Sequence, residues 1–191
     1  MTGRTHDLAA FTALSMVFVT HPLPHLTLGT LFVALGANMI GGLTPDIDQP
    51  TADLWNKLPA GGVFSRIFSP FLGGHRFISH SILGIFLFGF LTKFLLNVTS
   101  SFLIVDGTLV WWAFMIGYVS HLIMDTFTRD GVAWFFPIPI HIGIPPFKAL
   151  RMKTGGFLEK SVVFPVFLFI NAYILYTHQK VFLDFLHHYI K

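Results

Sequence analysis

The sequence predicts an all-α protein, a polytopic membrane helix bundle of four to five hydrophobic helices with a metal site at their cytoplasmic ends. Three observations carry that expectation. Of 191 residues, 53% are hydrophobic and 11% charged, with 23 Phe and a mean hydropathy of +0.69, whereas soluble domains carry about 25% charge. The apolar residues fall in long uncharged runs. The few ionisable residues gather where those runs end. The composition excludes a disordered chain and an ordinary water-soluble enzyme, and no nucleic-acid partner is expected. The length fits a single domain, 1–191. With no cysteine, disulfides, iron–sulfur clusters and thiolate zinc sites are excluded, so His, Asp and Glu must hold any metal.

A spanning helix needs about 20 mostly apolar residues to cross a ~30 Å hydrocarbon core. The first segment, Asp7 to Thr20, is apolar but short, either a half-length span or a helix lying against the others. Thr5-His6-Asp7 is its expected cap. The His21-Pro22-Leu23-Pro24-His25 stretch after it does not look like a signal-peptide cleavage site. Leu26 to Leu43 is wholly uncharged and is closed by Thr44-Pro45-Asp46. Ser81 to Val98 is apolar apart from Lys93, which can snorkel. Thr108 to Met124 begins near two tryptophans, as at an interfacial aromatic belt. Ser161 to Thr177 is the last clear run. Two long connections, Pro45–His80 and Asp125–Lys160, exceed the ~12–15 residues beyond which a loop is suspected of function.

With five segments, the N-terminus and both long connections share one side of the membrane. That side carries Arg4, Lys57, Arg66, Arg76, Arg129, Lys148, Arg151, Lys153 and Lys160, whereas only Lys180 and Lys191 clearly belong to the other. The positive-inside rule then places the long connections in the cytoplasm.

Ionisable residues at the ends of spanning helices are expensive and usually functional. His6 opens the first segment, and Asp46 and Asp48 close the second. His75 and His80 precede the third, His121 and Asp125 end the fourth, and Glu159 precedes the fifth. Alternating helix direction brings all eight candidate metal ligands into one layer. His121 and Asp125 are four apart and share a helix face. Pro45 ends or kinks the second helix and lets Asp46 and Asp48 converge. Nitrogen and oxygen ligands without sulfur suit Zn²⁺, with Mn²⁺ or Fe as alternatives, and several carboxylates invite two or more ions. Each piece alone has a plainer reading, a His–Asp hydrogen bond or a helix-ending turn. Joint placement is what favours a metal.

The stretches Leu43-Thr44-Pro45-Asp46-Ile47-Asp48-Gln49-Pro50, Gly74-His75-Arg76-Phe77-Ile78-Ser79-His80-Ser81 and Gly117-Tyr118-Val119-Ser120-His121-Leu122-Ile123-Met124-Asp125-Thr126-Phe127-Thr128 resemble the YdjM-like family of bacterial membrane-bound, metal-dependent hydrolases. His6, Gly131, Gly155 and Glu159 fit the same pattern, so the resemblance covers most of residues 5–160. It implies an inner-membrane hydrolase of unassigned substrate. Phe77, Ser79 and Thr44 depart from the usual glycine, threonine and leucine, while the ligand positions are intact. The ligand pattern is also similar, more loosely, to that of zinc-dependent phospholipase C.

The expected activity is therefore cleavage of a phosphoester in a lipid or lipid-linked phosphate by metal-activated water. Asp48 is the candidate to orient or deprotonate that water, Arg76 to clamp phosphate oxygens, and Ser79 joins them as a candidate catalytic residue. Membrane lipids are the expected partners, and Lys148, Arg151 and Lys153 form a basic loop suited to anionic headgroups. A transporter or a regulatory membrane protein with a structural metal is the alternative. Against a transporter, no acidic residue lies midway through any span.

Overall fold

The computed structural model describes residues 1–21, 23, 26–49, 55, 62 and 78–190, with side chains to residue 187. Among the described residues six α-helices follow in order: α1 Gly3–Thr20, α2 Leu28–Leu43, α3 Ile82–Thr99, α4 Gly107–Thr126, α5 Phe164–Thr177 and α6 Gln179–Ile190. A 3₁₀ turn, Thr44–Asp48, continues α2, and a π-helical turn, Glu159–Val163, leads into α5. Among the described residues there is no sheet, only the isolated bridges Thr128–Met152 and Val132–Ile142.

Among the described residues, four helical stretches are long and apolar enough to cross a membrane: Leu28–Asp48, Ile82–Thr99, Gly107–Thr126 and Glu159–Thr177. They match the four clear runs of the sequence. Phe32, Phe86, Phe90 and Phe169 on these helices are each about 70% exposed, as side chains facing lipid are, whereas such patches are rare on soluble monomers. α1 is not among the four, and it packs against α4, α2 and α5.

The start of α1 differs from expectation. The helix begins at Gly3, so Thr5, His6 and Asp7 lie inside it and do not cap it; Thr2 precedes it in extended conformation without a capping bond of its own. The first-turn donors of a helix need an acceptor, and the Glu159 carboxylate supplies one from another part of the chain, accepting from Thr2 N at 2.7 Å.

α4 is the hub. It packs most extensively on α2 and then on α1, while α3 lies against its other flank. Tyr118 and Leu122 of α4 are fully buried among Phe88, Phe114, Met115 and Val132. Glycine decides the α2–α4 crossing. A Cβ on Gly41 would collide with the Phe114 carbonyl, and one on Gly117 with the Asn38 carbonyl. Without those side chains the backbones touch, which is how helices associate where lipid competes equally for apolar surface. Asn38 Nδ2 donates to Ala113 O at 3.0 Å across the same crossing, and Asn171 Nδ2 to Thr12 Oγ1 at 2.7 Å between α5 and α1. At the far end, Phe182 of α6 packs at a tilt against Phe18 of α1, with ring centroids 5.6 Å apart.

Candidate metal centre

Four side chains from three parts of the chain meet at one end of the bundle. Asp46 comes from the turn after α2, His80 from the turn before α3, and His121 and Asp125 from the last turns of α4; one ligand atom of each lies within 4.8 Å of all the others. His80 Nε2 is 3.5 Å from Asp46 Oδ1 and 3.8 Å from Asp125 Oδ2. His121 Nε2 is 3.7 Å from Asp46 Oδ1 and 3.8 Å from Asp125 Oδ2. Four ligands about 2.1 Å from a tetrahedral ion stand about 3.4 Å apart, so modest contraction would close this set on a cation.

Each ligand is placed by a local device. The α2–α4 crossing brings Gly42 O within 2.6 Å of His121 Nδ1. That acceptor takes the Nδ1 proton and leaves the Nε2 lone pair aimed between two carboxylates. His121 Nε2 is buried and has no hydrogen-bond partner among the described residues. An imidazole that donates its other N–H to a backbone carbonyl is a common arrangement in metal sites. Pro45 and the Thr44 Oγ1 bond to Ile40 O, 2.7 Å, tighten the chain after α2 and turn Asp46 inward. The turn carrying His80 is held by Tyr118 Oη donating to Ser79 O, by Ser81 Oγ donating to Ile78 O at 2.6 Å, and by Ile82 N donating to Trp134 O at 3.0 Å.

Asp48 and Ser79 stand behind His80 and outside the quartet. Ser79 Oγ donates to Asp48 Oδ2 at 2.8 Å, and His80 Nδ1 faces that same oxygen at 3.7 Å. Burial pushes the His80 pKa down, but the hydrogen bonds and negative charges of Asp46 and Asp48 outweigh it and hold the imidazole above its ordinary value. His6 is adjacent. Its ring stacks on His121 with centroids 3.6 Å apart, and its Nε2 lies 3.2 Å from Asp125 Oδ1, an oxygen that the Met1 amine also contacts. The His80, His121 and Asp125 side chains are at most 1% exposed, whereas Asp46 is 20% exposed, so Asp46 is the member of the quartet that reaches the surface.

Glu159 is elsewhere. Its Oε1 accepts from Thr2 N, Thr2 Oγ1 and Thr5 Oγ1 at 2.7–2.8 Å, and its Oε2 from Gly155 N at 2.7 Å. Of the eight ligands expected from sequence, Asp46, His80, His121 and Asp125 form the quartet, and His6 and Asp48 flank it. Glu159 belongs to a separate clasp. His75 lies outside the described residues, as does Arg76. Sequence reasoning missed the Gly42 carbonyl and the Tyr118 hydroxyl as supports. The first has no side-chain signal, and the second reads as one more aromatic in an apolar run.

The profile of the YdjM inner membrane protein family matches residues 1–181. The uncharacterized protein YvsG of Bacillus subtilis is 31% identical over 169 residues, covering 85% of this chain and 88% of that protein. Inner membrane protein YdjM of Escherichia coli is 27% identical over 169 residues, covering 88% of this chain and 80% of its own length. No solved structure matches the chain.

Proposed function

This chain belongs to the YdjM inner membrane protein family, and from that premise we propose that it is a metal-dependent hydrolase cleaving a phosphoester in a membrane lipid or lipid-linked phosphate. The observation that carries the reading is the buried His121 Nε2, without a hydrogen-bond partner among the described residues and facing two carboxylate oxygens. Three acceptors aimed at one another in a buried site ask for a cation.

Asp46, His80, His121 and Asp125 would hold the ion, and this sulfur-free donor set suits zinc, with manganese or iron as alternatives. A divalent metal held there supplies Lewis acidity and water acidified toward neutral pH. Asp48, with Ser79 bonded to it, faces His80 Nδ1 and so fixes the direction of Nε2; its place behind the ring makes it a positioning residue. His6 packs the His121 ring from the other side. In this reading Arg76 clamps phosphate oxygens through its guanidinium fork. A substrate approaching past Asp46 meets the site at the end of the spanning helices, the depth of lipid headgroups, and the excess of basic residues on that side supports a cytoplasmic location.

A second reading has its own support: four protein ligands with almost complete burial also describe a closed structural metal site. Reconstitution decides between them. The protein is placed in nanodiscs, analysed for metal, and assayed with zinc or manganese against a panel of phospholipids and lipid phosphates, with Asp125→Ala as control. Hydrolysis by the wild type that Asp125→Ala loses supports the enzyme. A metal-free, fully folded protein, or equal hydrolysis by both, overturns it. Bound metal without hydrolysis of any lipid leaves the structural site as the answer.

A further inference from the structure

The chain between α4 and the π-helical turn before α5 is not a solvent loop in composition. Residues 131–158 contain no Asp or Glu and do contain Lys148, Arg151 and Lys153. Phe135, Ile138, Ile140, Phe147, Leu150 and Phe157 along it are 53–78% exposed. Its first residues follow directly on the span Gly107–Thr126 and its last precede the span Glu159–Thr177, so both ends are tied to one face of the bundle, the face of the metal centre. The backbone between is held close to that face. Val132 and Ile142 exchange two hydrogen bonds of 2.9 Å, Ile144 N donates to Thr126 O at 2.8 Å, and Met152 N donates to Phe127 O at 3.1 Å. Arg151 braces the segment from within, donating from Nε to Pro145 O at 2.7 Å and from Nη2 to Pro146 O at 2.9 Å.

We infer that residues 134–158 form an interfacial membrane insertion: the exposed Ile and Phe side chains enter the headgroup–acyl boundary around the metal centre, and Lys148 and Lys153 bind anionic phospholipid. The occupant follows from continuity. The loop joins two spanning helices whose exposed apolar side chains face lipid, and its hydrogen bonds to Thr126, Phe127 and Arg129 fold it back onto the end of the bundle. Irregular backbone is excluded from the hydrocarbon core, so the loop lies in the interface, where backbone polar groups can meet water and headgroups. Basic residues without intervening acids complement an anionic leaflet. The inference needs the membrane but neither a metal nor an activity, so it stands or falls apart from the hydrolase reading.

The absence of native cysteine makes a direct test available. Ile140→Cys and Phe147→Cys, each labelled with an environment-sensitive fluorophore, are compared with Phe90→Cys on the lipid face of α3 in vesicles of phosphatidylcholine with and without phosphatidylglycerol. Gel filtration and circular dichroism check that each variant is folded. Quenching by nitroxide-labelled lipid to at least half the extent seen at Phe90→Cys, with aqueous iodide several-fold less effective than on free dye, is the expected result. Adding Lys148→Glu and Lys153→Glu should at least halve the lipid quenching in phosphatidylglycerol vesicles and leave it unchanged in pure phosphatidylcholine. Labels quenched by iodide but not by lipid place the loop in water; labels shielded from both place it under a second protein copy. Either result overturns the insertion, and lipid quenching indifferent to charge reversal overturns the anionic-lipid component.

Discussion

Two buried polar clusters lie at the same end of this bundle and solve opposite problems. Around Glu159 every carboxylate oxygen meets donors: two backbone amides and two hydroxyls converge on it. Around Asp46, His80, His121 and Asp125 the atoms facing inward are carboxylate oxygens and imidazole nitrogens, and His121 Nε2 has no hydrogen-bond partner among the described residues. Burial costs both clusters their hydration. The first regains it within the protein, as a structural network does; the second is a ligand set that could hold a cation. A buried acid is therefore no sign of a metal by itself, and what distinguishes the two is whether donors or acceptors surround it.

The comparison is broken most severely at the quartet. Asp125→Ala or His80→Ala should reduce bound metal, measured by elemental analysis of protein purified with zinc, from stoichiometric to background while membrane insertion is retained. Metal content that survives either change would show that the cluster does not hold it. One layer out, Asp48→Asn should keep the ion but weaken its affinity by about 10–100-fold, as loss of a supporting partner typically does, measured by competition with a chelator.

The pH dependence should run in opposite senses with and without metal. Because the pKa of His80 is raised in the folded protein, its protonation stabilises the metal-free fold fully below the ordinary value of 6.5, and that contribution fades as pH rises through the raised value. Metal requires the unprotonated ring, so zinc affinity should fall about tenfold per pH unit below it. Thermal melts with and without zinc between pH 5 and 9, as an assay range of about neutral ± 2 units around His80, would expose parallel trends if the assignment is wrong. Glu159→Gln should have the smallest effect on metal, leaving its stoichiometry unchanged while destabilising the protein by about 1–3 kcal/mol through weakened charge-assisted bonds. A loss of metal as complete as that of Asp125→Ala would instead place Glu159 among the ligands.

Much of this was legible in the chain itself. The run Leu26–Leu43 became α2 from Leu28 to Leu43, and Thr108–Met124 became α4 from Gly107 to Thr126, because hydrophobic length is a local property. The pairing of His121 with Asp125 was legible for the same reason, since helical spacing alone puts them on one face. The start of α1 was not, because its acceptor is contributed by Glu159, far along the chain. Nor could spacing separate Asp46 from Asp48: two residues apart in a turn, one faces the quartet and the other the back of His80.

By itself, then, the sequence determined the solvent, the number of clear spans and the end of the bundle at which polar residues collect, all consequences of composition and segment length. Tertiary structure alone decided which of those residues face one another. That choice rests on the glycine-mediated contact of α2 with α4, which brings the Gly42 carbonyl to His121 and orients its free nitrogen, and on the donors that saturate Glu159 and keep it for the fold. Acceptors gather around a cation and donors around a carboxylate, and only the packed chain shows which of the two surrounds each buried group.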